Sequence, residues 1–122
     1  VKRLLIIENS PTAAHLLKAE AERRGYLPRV AIDLYNAAAC LATDWPEAIL
    51  FDWNNEQSRT NNEAAIDLAL CKDVPVAILT ANPANVTDRL RDLVADKRQG
   101  LAAPFELLNN QPTRRPTPCP LQ

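Results

Sequence analysis

The chain has 122 residues, is 47% hydrophobic and 24% charged, and carries a net charge of -1. This composition predicts one soluble globular domain with a substantial core. It gives no electrostatic reason to bind nucleic acid or an acidic membrane, and no apolar run approaches the ~20 residues that a membrane span needs.

Residues 3–8 begin as the apolar run Leu4-Leu5-Ile6-Ile7, which predicts a strand buried on both faces, and end in Glu8. Ser10-Pro11 then starts a helix, with Ser as cap and Pro in the first turn. Ala13, Leu16, Leu17 and Ala21 give it an apolar face, Glu20, Glu22, Arg23 and Arg24 point to solvent, and Gly25 closes it. Residues 28–32 predict a weaker second strand. Asp33 caps a second helix from Leu34 to about Thr43, stopped by Trp45-Pro46. Residues 47–52 predict the third strand, in which Ala48-Ile49-Leu50-Phe51 leads into Asp52. A polar loop over 53–62 and a helix over 63–71 follow, the latter with Ala65, Ile66, Ala69 and Leu70 inward. Residues 74–80 predict the fourth strand, where Val76-Ala77-Ile78-Leu79 leads into Thr80.

The spacing of Val86, Leu90, Leu93 and Val94 predicts a fourth helix over 85–98, closed by Gly100. Residues 101–103 then predict a short fifth strand and 105–110 a brief helix. Residues 112–122 hold four prolines and read as a flexible tail or linker, which leaves 1–111 as the domain. Five strand–helix steps imply a parallel sheet covered on both faces, whose functional crevice lies at the strands' carboxyl ends. Glu8, Asp52 and Thr80 all sit at such ends.

The remaining chemistry is sparse. Three scattered cysteines, at 40, 71 and 119, argue against a disulfide framework or a cysteine zinc site and fit a reducing cytoplasm. Two glycines cannot build a phosphate-cradling loop. No signal peptide is expected, because Lys2-Arg3 leads directly into a strand. His15 reads as a surface residue, Cys40 and Cys71 as small buried hydrophobes, and Cys119 as incidental. Trp45 and Trp53 are expected to pack at element ends, with Trp53 beside Asp52.

Leu4-Leu5-Ile6-Ile7-Glu8-Asn9-Ser10-Pro11, Ile49-Leu50-Phe51-Asp52-Trp53-Asn54, Ile78-Leu79-Thr80-Ala81 and Ala103-Pro104-Phe105 together resemble the conserved segments of two-component response-regulator receiver domains. The resemblance spans about residues 2–110. It implies a CheY-like, flavodoxin-like (βα)5 doubly wound fold, with a five-stranded parallel sheet in the order 2-1-3-4-5. The fifth helix is expected to be cut short by Pro112, which leaves the oligomeric state open.

The resemblance also implies roles. Asp52 accepts a phosphoryl group from a histidine kinase or phosphotransfer protein. Glu8, Asp52 and the Asn54 backbone carbonyl hold a divalent cation, and the Thr80 hydroxyl bonds a phosphoryl oxygen. Ala81 leaves the acceptor open. Clustered carboxylates and oxygen ligands suit Mg²⁺, which also steadies charge in phosphoryl transfer.

The departures point to an atypical receiver. Asn9 replaces a second acid and weakens the cation site, and Glu56 stands where the family has proline. Ala103 falls on the family lysine and Gly100 on the switch aromatic, so the lysine that balances the phosphoryl charge is expected to be missing. Arg59, in the loop after Asp52, is a candidate substitute charge. The expected function is therefore a phosphorelay receiver with a weakened cation site, cytoplasmic, not an enzyme, and engaging a kinase and an output protein. The alternative is a pseudo-receiver that serves as an interaction scaffold without phosphorylation. A small flavodoxin-like enzyme or nucleotide binder is a third reading, disfavoured by the scarcity of glycine.

Overall fold

A computed structural model describes residues 2–43, 46–53, 59–71 and 73–111. Trp45, Asn54, Glu56, Cys119 and the predicted tail over 112–122 lie outside the described residues, as do the side chains of Arg59 and Cys71. The strands are β1 (Lys2–Ile7), β2 (Tyr26–Ala31), β3 (Ala48–Asp52), β4 (Val76–Thr80) and β5 (Val94–Asp96). The helices are α1 (Pro11–Arg23), α2 (Leu34–Thr43), α3 (Arg59–Cys71) and α4 (Ala102–Asn109). The strands form one parallel sheet in the order β2-β1-β3-β4-β5, the doubly wound arrangement expected from the sequence.

Alternate side chains along each strand face opposite sides of the sheet, so an uninterrupted apolar run feeds two cores at once. Leu5, Ile7, Ile49, Phe51, Val76 and Ile78 join Ala37 and Cys40 of α2 and Ile66 and Ala69 of α3. Leu4, Ile6, Leu50, Ala77 and Leu79 join Leu17 and Ala21 of α1 and Phe105 and Leu108 of α4. Burial of each such large side chain contributes roughly 1.5–3 kcal/mol. A one-residue slip of Leu4–Ile7, β3 or β4 would exchange the residues of the two layers. The polar groups are thereby confined to the strand ends.

The helix starts follow their caps. Ser10 Oγ accepts the Ala13 N–H at 3.3 Å, with Pro11 in the first turn of α1. Asp33 Oδ1 accepts the Asn36 N–H at 2.8 Å ahead of α2. Two details of α1 differ from the helical-wheel expectation. Leu16 is exposed and Ala14 takes the inward place. Glu20 is buried because it pairs with both Arg23 and Arg24, whose Nε lies 2.7 Å from Glu20 Oε2. His15 is exposed and Cys40 is buried.

The second half of the chain departs further. Residues 85–98 are not a helix. Two 3₁₀ segments, Pro83–Asn85 and Asp88–Leu93, lead straight into β5 at Val94. Val86, Leu90 and Leu93 are buried in the core as expected, but Leu90 and Leu93, three apart, lie one 3₁₀ turn from each other, and Val86 lies in the bend between the two segments. The stripe therefore identifies the inward residues and not the kind of helix. The predicted fifth strand at 101–103 is also displaced, since Ala102 and Ala103 belong to α4. α4 has 8 residues, so the last helix is short, as expected. α3 begins at Arg59 and takes in residues expected to be loop.

β5 is only 3 residues long and pairs with Ile78–Thr80 alone. The lower edge of β4 is covered instead by Gln111. Its amide accepts the Val76 N–H at 3.2 Å and donates to the Val76 carbonyl at 2.6 Å, in place of a neighbouring strand. Val76 is fully buried, so those backbone groups have a high cost if left unpaired. Gln111→Ala is expected to lower stability by about 1–2 kcal/mol in urea unfolding, with the m-value unchanged.

Candidate functional site

Three polar side chains reach the carboxyl edge of the sheet from neighbouring strands. Glu8 follows β1, Asp52 ends β3 and Thr80 ends β4. The register places Ile7 opposite Phe51 and Asp52 opposite Leu79, so Glu8 and Thr80 flank Asp52 on either side. Glu8 and Thr80 are buried, and Asp52 is nearly so.

Each group is held by the local backbone. The Glu8 N–H donates to the Ala31 carbonyl at 3.0 Å, which extends the β1–β2 ladder to the site. Glu8 Oε1 accepts the Ser10 N–H at 3.2 Å, leaving Oε2 buried without a hydrogen bond. Thr80 Oγ1 accepts the Asn82 N–H at 3.0 Å, so its hydroxyl proton stays available to another acceptor. The Trp53 N–H donates to the Leu79 carbonyl at 2.9 Å, and its buried ring stands next in sequence to Asp52, as expected for that residue.

The fourth group was not foreseen. Lys97 directly follows β5, and its Nζ lies 2.6 Å from Asp52 Oδ1. The two form an ion pair without hydrogen-bond alignment, since Oδ1 has no aligned donor. The expectation of a missing lysine is thereby corrected. Ala103 is half-buried within α4 and packs against the core cluster that holds Phe105, so it is not at a strand end. Gly100 is likewise not in the switch position. It is exposed, closes the Lys97–Gln99 turn with a positive φ of 92°, and lies after Lys97. The residue three before Lys97 is Val94, packed against the core on the α2–α3 side.

The cause of the misassignment is physical. Val94-Ala95 is too short to show a strand pattern, and Asp92, Asp96, Lys97 and Arg98 around it read as a helix's wet face. The available signal was the run Leu93-Val94-Ala95-Asp96-Lys97, apolar then charged, like the strands that end in Glu8 and Asp52. Among the other expected site residues, Asn9 lies at an exposed bend beside Glu8. Asn54 lies outside the described residues. Arg59 opens α3, and its side chain is likewise outside them.

Charge is unevenly balanced at this edge. Burial pushes the Glu8 carboxyl above its ordinary value, the neighbouring Asp52 carboxylate pushes it the same way, and the Ser10 N–H and Lys97 act against them. Two carboxylates thus share one ammonium, and Glu8 Oε2 and Asp52 Oδ1 are buried oxygens with no aligned donor. Among the described residues no group of three His, Cys, Asp or Glu is assembled. A hard cation that keeps several waters and takes only one or two carboxylates fits this donor set, and Mg²⁺ is of that type.

This fold is that of the CheY-like receiver domains. Solved structures that resemble it include the receiver domain of Francisella response regulator 1452, with a TM-score of 0.69 at 20% identity over 89% of this chain and 94% of that one. The receiver domain of the Pseudomonas aeruginosa sensor histidine kinase PA1611 gives 0.67 at 19% identity over 88% and 94%, and that structure has a magnesium ion coordinated in its active site cleft. Vibrio cholerae chemotaxis protein CheY4 gives 0.69 at 14% over 89% and 97%. In sequence, the phosphate regulon transcriptional regulatory protein PhoB of Klebsiella pneumoniae is 29% identical over 108 residues, 85% of this chain and 46% of that protein. The chain thus spans about half the length of that curated relative. No protein-family model matches it.

The raised Glu8 carboxyl has a signed consequence for stability. The folded state favours protonated Glu8, so this contribution is fully present below the unfolded value near 4.5 and is lost as pH rises through the folded value. Glu8→Gln is expected to match the parent below pH 4.5 in metal-free buffer. At pH 7 it should melt above the parent, because the amide carries no charge to desolvate or to repel Asp52. Differential scanning calorimetry across pH checks the difference curve.

Proposed function

We propose that this chain is a phosphorelay receiver in which Asp52 accepts a phosphoryl group from the phosphohistidine of a kinase or phosphotransfer protein. The observation that supports this reading best is the Lys97–Asp52 pair at 2.6 Å, beside Glu8 and Thr80 at one sheet edge. An Asp52 carboxylate oxygen attacks phosphorus, and the bond from phosphorus to the donor nitrogen breaks. The product is an acyl phosphate carrying about two negative charges. The Lys97 ammonium balances part of that charge, and the Thr80 hydroxyl donates to a phosphoryl oxygen.

Glu8 and Asp52 would hold the divalent cation, Mg²⁺ by the chemistry of the donors, with the Asn54 carbonyl as a further ligand. The ion would neutralise developing charge on the transferring group. Asn9 in place of a second acid leaves the site one charge short, so we expect weaker cation affinity. Trp53, next in the chain after the acceptor, packs into the core, and exposed Ala81 leaves the approach open. The role is that of a signalling module and not an enzyme. Its output partner would read the state of the edge formed by Thr80, the 3₁₀ segments and Lys97.

Incubation with a small acyl phosphate and Mg²⁺, followed by intact-mass spectrometry, tests the proposal. The parent should gain one phosphoryl group, and Asp52→Asn should gain none. Omission of Mg²⁺ should reduce labelling at least tenfold, the scale of a few kcal/mol of electrostatic stabilisation removed. An unlabelled parent with its fold intact would instead favour the phosphorylation-independent scaffold.

A further inference from the structure

We propose that Asp96 is a positioning residue for Lys97. Its carboxylate caps the turn that carries Lys97 and keeps the ammonium aimed at Asp52. The functional consequence rests on the receiver reading above, while the geometry stands apart from it.

Lys97 needs such a device. The β4–β5 ladder ends at the Thr80–Asp96 pair, so no strand partner fixes the backbone beyond Asp96. The lysine side chain carries ~2 kcal/mol of rotamer entropy and no fixed direction of its own. It is 42% exposed, so packing alone does not hold it against Asp52.

Asp96 supplies the missing constraint. Its backbone is still extended, with φ -76° and ψ 125°, and its Oδ1 accepts the Arg98 N–H at 2.9 Å. This caps the 3₁₀ turn Lys97–Gln99, which closes where the Gly100 N–H donates to the Lys97 carbonyl at 3.3 Å. An Asp acceptor at such a start satisfies a backbone donor that would otherwise go unpaired.

Arg98 completes the device. Its Nε lies 3.0 and 3.1 Å from the two Asp96 oxygens, and Nη2 lies 2.6 Å from Oδ2. The side-chain hydrogen bond from Arg98 holds the Asp96 carboxyl down to about 2, so the cap is ionised throughout the working range. The pairing also separates two adjacent cations. Arg98 occupies Asp96 on the solvent side, and Lys97 is left to turn toward Asp52.

A double-mutant cycle between Lys97 and Asp52 tests this without phosphoryl chemistry. Urea unfolding of the parent, Asp52→Asn, Lys97→Ala and the double variant gives the coupling. The cycle is repeated with Asp96→Ala, with Asp96→Gly as a second variant lacking the acceptor, and with Asp96→Asn, whose amide oxygen can still cap. The coupling should fall by more than half with alanine or glycine and persist with asparagine. Unchanged coupling with alanine and glycine would overturn the proposal, as would equal loss with asparagine. In acyl phosphate labelling, Asp96→Ala should react about five- to tenfold more slowly, the scale of removing a cap, and Asp96→Asn should recover most of the parent rate. A parent that takes no phosphoryl group while the cycle behaves as stated would refute the receiver reading and leave the positioning role standing.

Discussion

Two carboxylates at the edge of a sheet buried on both faces set the terms for this domain. Glu8 and Asp52 stand where β1 and β3 emerge, because the runs just behind them, Leu4–Ile7 and Ala48–Phe51, are apolar at every position and leave polar groups no place there. Burial and the neighbouring Asp52 carboxylate raise the cost of holding Glu8 as an anion. Lys97 offsets part of that cost, and an added divalent cation or a proton on Glu8 would offset the rest. The balance would shift if a phosphoryl group were added, since it would bring negative charge where one ammonium already serves two carboxylates.

The crossover from β4 to β5 shapes the site as much as the charges do. It is built from 3₁₀ turns and not from a regular α-helix, and it is tied to α3 through side chains. Arg89 donates to both Asp67 oxygens, at 2.9 and 3.0 Å, and Thr87 hydrogen-bonds Glu63. Because β5 needs to match only three residues of β4, a compact crossover suffices to return the chain. The short strand delivers Lys97 to the edge, and Gln111 covers the part of β4 that it leaves bare.

Much of this was legible in the sequence, and what was not lies chiefly in the crossover to β5. β1, β3 and β4 announce themselves because burial on both faces forces unbroken apolar runs, and each ends in a polar residue that marks the edge. Ser10-Pro11 and Asp33 mark helix starts through groups that satisfy free backbone donors. β5 has only Val94-Ala95 before Asp96, with charges on both sides, so neither period can be read from it. The apolar stripe through Val86, Leu90 and Leu93 then extends a helix over the strand. With a helix over 85–98, the resemblance falls on Ala103 and Gly100 in place of Lys97 and Val94. Glu20 escapes a helical wheel for a related reason, since two adjacent arginines stabilise it in a buried place and such pairing leaves no periodic signal.

The central claim is that Lys97 and Asp52 form one phosphoryl-binding unit. Titration with beryllofluoride in Mg²⁺, followed by intrinsic tryptophan fluorescence, tests it most directly. Saturable binding by the parent, about tenfold weaker binding by Lys97→Ala and none by Asp52→Asn are predicted, on the scale of removing one charge-assisted hydrogen bond. Equal affinity in the parent and Lys97→Ala would contradict the claim.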